Sequence, residues 1–237
     1  MNKIPILFVA LLFVTVGYSQ NKADFFAKAD IFFKTYVQDG RFDYKSIKKN
    51  PRTLNELVQL AREISVDMGN ASEFEAFWIN GYNLLVVKGI VENYPMVSPL
   101  DISGFYDVTK YIIGGKSITL NDIEHQLLRK DFSKDPRFHF VLVCGGLGCP
   151  PIIDEAYMPN RLNAQLNRQT RKALNDSNFI QINNNVVKIP QMFEWYRSDF
   201  EHNGKVIDFI NRYRSEKLAA STEITHYPHD WNLYDIK

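Results

Sequence analysis

Both cysteines of this 237-residue chain lie in one short segment, "CGGLGCPP" at residues 144–151. Cys144 follows the apolar run "FHFVLV", and a glycine-rich turn separates it from Cys149. A cysteine attacks as its thiolate, which a nearby histidine or a helix N-terminus favours. Cys144 is therefore the candidate nucleophile. The backbone N–H groups of Gly145 and Gly146 are candidate donors to an oxyanion, because glycine lets a substrate approach the backbone closely.

The candidate base is His125, which the pattern "TLNDIEHQLLRKDF" places early in a helix. Glu124 precedes it, but adjacent helical residues point about 100° apart, so Asp122 on the same face is an equal candidate to orient the imidazole. Taken singly, each is also explained as an ordinary polar helix residue. His139 lies five residues before Cys144. In a regular strand this odd spacing puts the two on opposite faces, so we expect a hydrogen-bonded sheet histidine.

Two asparagines, Asn80 and Asn83, share one face of an apolar helix. Buried amides need hydrogen-bond partners. We weigh two roles for them: bridging the helix to the sheet, or donating an N–H to an oxyanion. The structural role is favoured for each.

Metal chemistry has weaker support in the sequence. A zinc site built from the cysteines with His125 and His139 lacks any standard ligand spacing. His226 and His229 resemble a fragment of a site without a third ligand nearby in sequence. We therefore expect neither a metal nor a cofactor. A structural Cys144–Cys149 disulfide, by contrast, is permitted by the spacing.

The helices and strands that must position these residues are also predicted from the sequence. Helices are predicted early in the chain and strands later, which indicates an α+β fold. The segment "SEFEAFWINGYNLLVVKGIVENYP" is apolar on nearly every face and predicts a central buried helix, opened by a Ser72–Glu75 capping box. Hairpins are predicted in "DVTKYIIGGKSITL" and "FIQINNNVVKIP", and a buried strand in "FHFVLVC". We expect one globular domain in which the central helix packs on a small, mainly antiparallel sheet.

The N-terminus resembles a secretory signal peptide over residues 1–19, followed by a helical lead-in at 20–69 and the main domain at 70–237. We therefore expect an exported protein, periplasmic or extracellular, with no integral membrane segment after cleavage. Loss of Lys3 leaves no net charge when histidines are neutral. A neutral chain has no electrostatic footprint for nucleic acid. Export also favours oxidation of a cysteine pair.

Five segments in series resemble the DUF547 family, as does the closing "YPHDWNL": "AFWINGYNLLVVKGIVENYP", "ITLNDIEHQLLR", "FHFVLVCGGLGCPPI", "AYMPNRLNAQL" and "FEWYRSDF". The resemblance spans about residues 70–235 and suggests a bacterial exported member. The family's Ile-Glu-His triplet is matched at 123–125, and its strand-ending cysteine at Cys144. Cys149 is not a family-wide feature. His229 stands where a tyrosine is usual, so no role is carried to it, whereas Asp230 and Trp231 match.

The family name assigns no function, but a Glu/His/Cys set is similar to the machinery of cysteine hydrolases and transglutaminase-like enzymes. By this analogy the fold is papain- or transglutaminase-like, Cys144 is the nucleophile, His125 its base, and Glu124 orients the ring. The expected activity is a thiol-dependent hydrolase or acyltransferase acting on an unknown peptide, amide or glycan-linked substrate. The alternative is a non-catalytic exported binding or scaffold module with a structural Cys144–Cys149 disulfide.

Overall fold

The computed structural model describes residues 5–183 and 185–236, with side chains described from residue 21 onward. The predicted signal peptide at 1–19 therefore lies outside the described side chains. The α-helical segments are α1 Pro5–Tyr36, α2 Tyr44–Lys49, α3 Arg52–Arg62, α4 Ala71–Asn93, α5 Leu120–Asp122, α6 Lys130–Phe132, α7 Leu162–Asn175, α8 Met192–Trp195, α9 Arg197–Phe200 and α10 Val206–Tyr213. A π-helical segment, Ile123–Arg129, joins α5 to α6. Shorter 3₁₀ helices span Met68–Asn70, Pro99–Asp101 and Pro136–Phe140.

Within the described residues, the strands form three small sheets. They are β1 Val37–Gln38, β2 Arg41–Phe42, β3 Lys110–Ile113, β4 Lys116–Thr119, β5 Gln181–Asn183, β6 Val186–Pro190 and β7 Glu223–Tyr227. The pairs β1–β2, β3–β4 and β5–β6 are antiparallel, and β7 adds to β6 in parallel. Both predicted hairpins are confirmed, and the chain is a single α+β domain as predicted.

The central helix α4 is buried on nearly all sides, as its apolar sequence predicts, and packs against α2, α3 and the π-helical segment. Its first turn differs from the prediction. Asn70, not Ser72, is the N-cap, and its side chain accepts the N–H of Glu73 at 3.2 Å. Because the helix begins before Ser72, Glu75 faces the core instead of closing a capping box, and it is 7% exposed.

The β3–β4 hairpin turns at Gly114 and Gly115, which have φ of 60° and 68°. Two-residue hairpin turns of the primed types need such positive angles, and glycine adopts them without strain. The N–H groups of these glycines donate to the carbonyls of Ala61 and Arg62, both at 2.9 Å. The turn is therefore docked on the end of α3.

The prediction of a buried strand in "FHFVLVC" is wrong, because the first part of this segment lies in a 3₁₀ helix. Asp135 caps a 3₁₀ helix that starts at Pro136, a residue suited to a first helical position. The following segment, 141–143, has no partner strand in the described ranges. The side chain of Asn83 takes that place: it donates to the Val141 carbonyl at 3.0 Å and accepts the Val143 N–H at 2.9 Å.

Two apolar clusters form the interior. The larger surrounds α4 and includes aromatic residues from before residue 70, such as Phe25 and Phe42, so the N-terminal helices share its core. The smaller surrounds Phe140 and is built from β6, the end of α7 with the segment that follows it, and the helices α8 to α10. The 3₁₀ helix at 136–140 lies between them, since Phe138 belongs to the first cluster and Phe140 to the second. Among the described helices, none has the length and apolar character needed to cross a membrane.

Candidate functional site

A cavity of about 250 Å³ gathers most of the predicted site residues. Glu124, His125, His139, Cys144 and Cys149 all line it. The rest of its described wall is largely aromatic, and the remaining lining residues are Tyr82, Tyr106, Asn121, Leu142, Gly148, Pro150, Met192, Trp195, Tyr196, His229 and Trp231. The cavity is therefore the candidate functional site.

Cys144 and Cys149 form a disulfide, with their Cα atoms 6.1 Å apart. The backbone N–H of Cys144 donates to the sulfur of Cys149 at 3.0 Å. The predicted disulfide alternative is thus present in the structure, and the bonded pair lies at the wall of the cavity. In this state neither sulfur is a nucleophile, because attack requires a thiolate.

The imidazole beside the disulfide belongs to His229. Its Nε2 lies 3.3 Å from the sulfur of Cys144. No hydrogen bond joins His125 to Cys144 within the part of the chain that the structure describes. Burial lowers the pKa of His229, against an opposing effect of Asp230, so the neutral ring is favoured. This ring lies between Trp195 and Trp231, at centroid distances of 5.3 and 4.4 Å.

The glycine-rich turn is what brings His229 to the cysteines. The N–H groups of Leu147 and Gly148 donate to the carbonyls of Asn232 and Asp230, both at 2.8 Å. A Cβ on Gly148 would lie 2.7 Å from Nδ1 of His229, closer than real Cβ contacts allow. The turn thus needs glycine so that the C-terminal tail can pack directly on it.

Gly145 and Gly146, whose N–H groups were predicted to bind an oxyanion, contact the C-terminal tail. Gly145 has φ of +81° and accepts the N–H of Tyr234 at 2.8 Å. A Cβ on Gly146 would lie 2.9 Å from the Asp230 carbonyl oxygen. Neither Gly145 nor Gly146 is among the described residues that line the cavity. Both glycines therefore contribute to the docking of the tail.

Glu124 and His125 lie on the π-helical segment, and both side chains face the cavity although they are adjacent in sequence. Short π-helical stretches are rare in proteins, and many of those that are observed lie at functional sites. The alternative orienting acid, Asp122, is used elsewhere, since its carboxylate accepts the N–H of Thr119 at 3.3 Å in a capping box. This leaves Glu124 as the acid on the cavity wall.

Three tyrosines surround the Glu124 carboxylate. Burial, and then the charge of Glu124, raise the pKa of Tyr82, Tyr106 and Tyr196 above their ordinary value. All three hydroxyls therefore stay protonated and remain donors at neutral pH. The hydroxyl of Tyr106 donates to the carbonyl of Cys144 at 2.5 Å, which ties this wall to the cysteine turn.

His139 is a cavity residue with a buried partner, and it lies in a 3₁₀ helix instead of a strand. Its Nε2 lies 3.0 Å from a carboxylate oxygen of Asp199. Arg129 donates to both oxygens of that carboxylate, at 2.7 and 3.0 Å. Burial opposes ionisation of Asp199, but the bonds from His139 and Arg129 outweigh it and lower the pKa. Burial also lowers the pKa of His139.

The two buried asparagines hold backbone segments and are absent from the described lining of the cavity. Asn80 donates to the carbonyls of Ala76 and Tyr157, at 2.8 and 2.7 Å, and accepts the N–H of Tyr157 at 3.0 Å. Asn83 holds residues 141–143 in the same way. These bonds support the structural role that was weighed for both residues.

The family model for a protein of unknown function, DUF547, matches residues 67–174. This range includes α4, the π-helical segment and both cysteines, but ends before His229. No curated protein matches the chain, and no solved structure does. Residues 67–174 are therefore similar to the DUF547 family, in agreement with the resemblance seen in the sequence.

Proposed function

We propose that this protein is a thiol-dependent hydrolase or acyltransferase whose nucleophile is the reduced Cys144. The single observation that supports this is the 3.3 Å approach of His229 Nε2 to the Cys144 sulfur at the wall of a cavity. A histidine at hydrogen-bond reach of a cysteine is the arrangement that activates a thiol for acyl transfer. This proposal differs from the sequence-based assignment, because the base is now His229 and not His125.

In the proposed reaction, the proton of the Cys144 thiol passes to Nε2 of His229. The sulfur then attacks the carbonyl carbon of the substrate, and the leaving group departs with a proton as a thioester forms. Water or a second acceptor then attacks the thioester and passes its proton to His125, which replaces the proton given to the leaving group. The Cys144 sulfur departs and regains its own proton from His229. His125 and Glu124 remain in the proposal as the pair that donates a proton to the leaving group and orients the substrate, because both face the same cavity.

The disulfide makes this activity dependent on reduction. A thiol reductant must supply two electrons and two protons before Cys144 can attack. The export predicted from the N-terminus would place the protein where such a pair oxidises readily. The oxidised form in the structure is accordingly proposed to be the resting state.

Mass spectrometry of acylated protein tests the proposal. Cys149→Ser removes the disulfide and leaves Cys144 as the single thiol. Incubated with a panel of activated esters and thioesters, this variant should accumulate an acyl adduct on Cys144. Adding His229→Gln should slow acylation about 100-fold or more, which is the usual contribution of a positioned base.

The matched control is His226→Gln in the same background, because His226 is exposed and lies on β7, only three residues before His229. That change should leave the acylation rate unaltered. Equal rates in the His229→Gln and His226→Gln proteins would overturn the proposal, as would acylation that does not map to Cys144.

A second candidate function is the binding or scaffold module. It is favoured by the disulfide itself, together with the aromatic wall of the cavity. If this is the function, the Cys149→Ser protein should turn over activated esters no faster than a Cys144→Ser, Cys149→Ser protein does. Loss of all turnover in that variant, with turnover retained by Cys149→Ser, would exclude the module in favour of the enzyme.

A further inference from the structure

We infer that the reduced protein binds one Zn²⁺ through Cys144, Cys149 and His229. One ligand atom from each of these residues lies within 4.8 Å of the other two. The inference goes beyond the proposed function, because it gives Cys149 a role as a metal ligand that acyl transfer does not require. It departs from the expectation of no metal, which rested on the lack of a standard ligand spacing in the sequence, because the third ligand here comes from the distant tail.

The distances fit a tetrahedral zinc ion. With Zn–S near 2.3 Å and Zn–N near 2.0–2.1 Å, ligand atoms at tetrahedral angles are separated by roughly 3.5–3.8 Å. His229 Nε2 already lies 3.3 Å from the Cys144 sulfur. When the disulfide is reduced, the two sulfurs move apart to non-bonded contact, which is the separation that a shared metal requires. Side-chain rotation can supply this separation, because the two Cα atoms are already 6.1 Å apart.

The chemistry of the ligand atoms selects the metal. Two thiolates and one imidazole are soft or borderline ligands, which suit Zn²⁺ and exclude Mg²⁺ and Ca²⁺ as good fits. The two thiolate charges balance the charge of the ion. The backbone N–H of Cys144 points at the sulfur of Cys149, at 3.0 Å, and such a donor stabilises a thiolate.

Three protein ligands leave a fourth position open. All three residues line the cavity, so that position faces the space bounded by Glu124 and His125. A zinc site with three protein ligands and an open position is the arrangement found in catalytic, as opposed to structural, zinc sites. Zinc bound there would accept a solvent molecule or a ligand from the cavity.

Zinc and the disulfide exclude each other. Two equivalents of a thiol reductant convert the disulfide to two thiols and are themselves oxidised to a disulfide. Zn²⁺ then displaces the two thiol protons to form the two metal–sulfur bonds. The oxidised protein should therefore bind no zinc at this site.

Metal titration tests the inference on the full chain. Protein reduced and then freed of reductant under anaerobic conditions is dialysed against ZnCl₂, and bound zinc is measured by elemental analysis. We expect one zinc per reduced chain and none per oxidised chain. Co²⁺ in place of Zn²⁺ should give the absorption of a tetrahedral thiolate site. Bound Zn²⁺ should also protect both cysteines from iodoacetamide, a readout that needs no variant.

Variants separate this inference from the proposed function. Removing a ligand with Cys149→Ser or His229→Gln should weaken zinc binding at least about 100-fold, since loss of outer-shell partners alone costs ~10–100-fold. His226→Gln should bind normally. Cys149→Ser should still be acylated on Cys144, so the failure of either claim leaves the other standing. Absence of zinc uptake by the reduced wild type, or unchanged uptake after Cys149→Ser, would overturn the inference.

Discussion

A single buried polar side chain, that of Asn83, holds a backbone segment next to the cavity through its hydrogen bonds. Asn83 is fully buried and joins α4 to the segment that leads into Cys144, through one bond to Val141 and one to Val143. Its amide offers a donor and an acceptor side by side, which is the pattern that a neighbouring strand would present. The segment can therefore run through the interior without a sheet.

Asn83→Ala should lower the free energy of unfolding by about 3 kcal/mol, because it leaves a buried N–H and a buried carbonyl without partners. Denaturant unfolding measures this loss. The control is Asn93→Ala, an exposed residue at the end of the same helix, which should change stability little. Similar losses for the two variants would contradict the structural role given to Asn83.

Glu75 is a buried acid whose ionisation should be visible in stability. Burial, and then the Asp135 carboxylate, raise its pKa from 4.5 to about 7, against an opposing effect of Arg137. Because its folded pKa is the higher one, the folded protein holds this proton more tightly than the unfolded chain does. The contribution to stability is complete below pH 4.5 and is lost as the pH rises to about 7.

Glu75→Gln should remove this pH dependence. The wild type should lose about 3 kcal/mol more than the variant between pH 4.5 and 7, as the pKa difference implies. Urea unfolding across that range measures both proteins. Glu92→Gln, at an exposed site on the same helix, should follow the wild-type curve. Parallel curves for the wild type and Glu75→Gln would show that Glu75 titrates normally.

Residue types alone predicted part of the site. Cys144, Glu124 and His125 were chosen for their chemistry, and the structure places all three on one cavity. His229 was not given a role, because it lies 85 residues from Cys144 and differs from the residue that the resemblance led us to expect there. Only the tertiary docking of the tail brings it to the sulfur, and no local pattern records that contact.

At the scale of elements, the cysteine turn and the C-terminal tail act as one unit. Bonds from Leu147 and Gly148 to the tail hold residues 229–234 against the turn. The sequence correctly predicted a glycine-rich turn, but its purpose could not be inferred, since close backbone approach serves a substrate and a neighbouring chain segment equally well.

Gly148→Ala should displace the tail, because the added Cβ would contact His229 and the backbone of Asp230 at under 3 Å. Hydrogen exchange of residues 229–234 should accelerate, and acylation of Cys144 in the Cys149→Ser background should fall. Gly115→Ala is the control: its Cβ meets no atom within 4 Å, and its positive φ costs only about 1–2 kcal/mol locally. Unchanged tail exchange in Gly148→Ala would contradict the docking.

Helix and strand predictions succeeded where the pattern was local. The β3–β4 hairpin, for example, follows from two adjacent glycines. The prediction of a buried strand in "FHFVLVC" was wrong, because a short apolar run indicates that a segment is buried but does not distinguish a strand from a helix. Asp135 and Pro136 at its start were the local signal for a helical turn.

At the scale of the whole molecule, the cavity lies where two apolar clusters meet. Phe140 belongs to the second cluster and contacts the rings of Phe179, Phe193, Phe200 and Phe209, at centroid distances of 6.0 to 6.2 Å. The division of the interior into two clusters depends on long-range packing that the hydrophobic periodicity of the sequence does not encode.

Phe140→Ala should destabilise the protein by about 3–5 kcal/mol, the usual cost of removing a fully buried phenylalanine. Hydrogen exchange should increase first in the helices α8 to α10, which build the second cluster. Ile182→Ala, at a half-exposed position of β5, should change neither stability nor exchange appreciably. A loss below about 1 kcal/mol for Phe140→Ala would argue against its central place.

The pairing of His229 with Cys144 is tested most directly by alkylation of the lone thiol in the Cys149→Ser protein. Iodoacetamide labelling is followed by mass spectrometry near pH 6.5, where an ordinary thiol with a pKa of about 8.5 is almost wholly protonated. We predict rapid labelling of Cys144 that slows at least about 10-fold after His229→Gln but not after His226→Gln. Labelling at the same rate in all three proteins would show that the imidazole does not activate the sulfur.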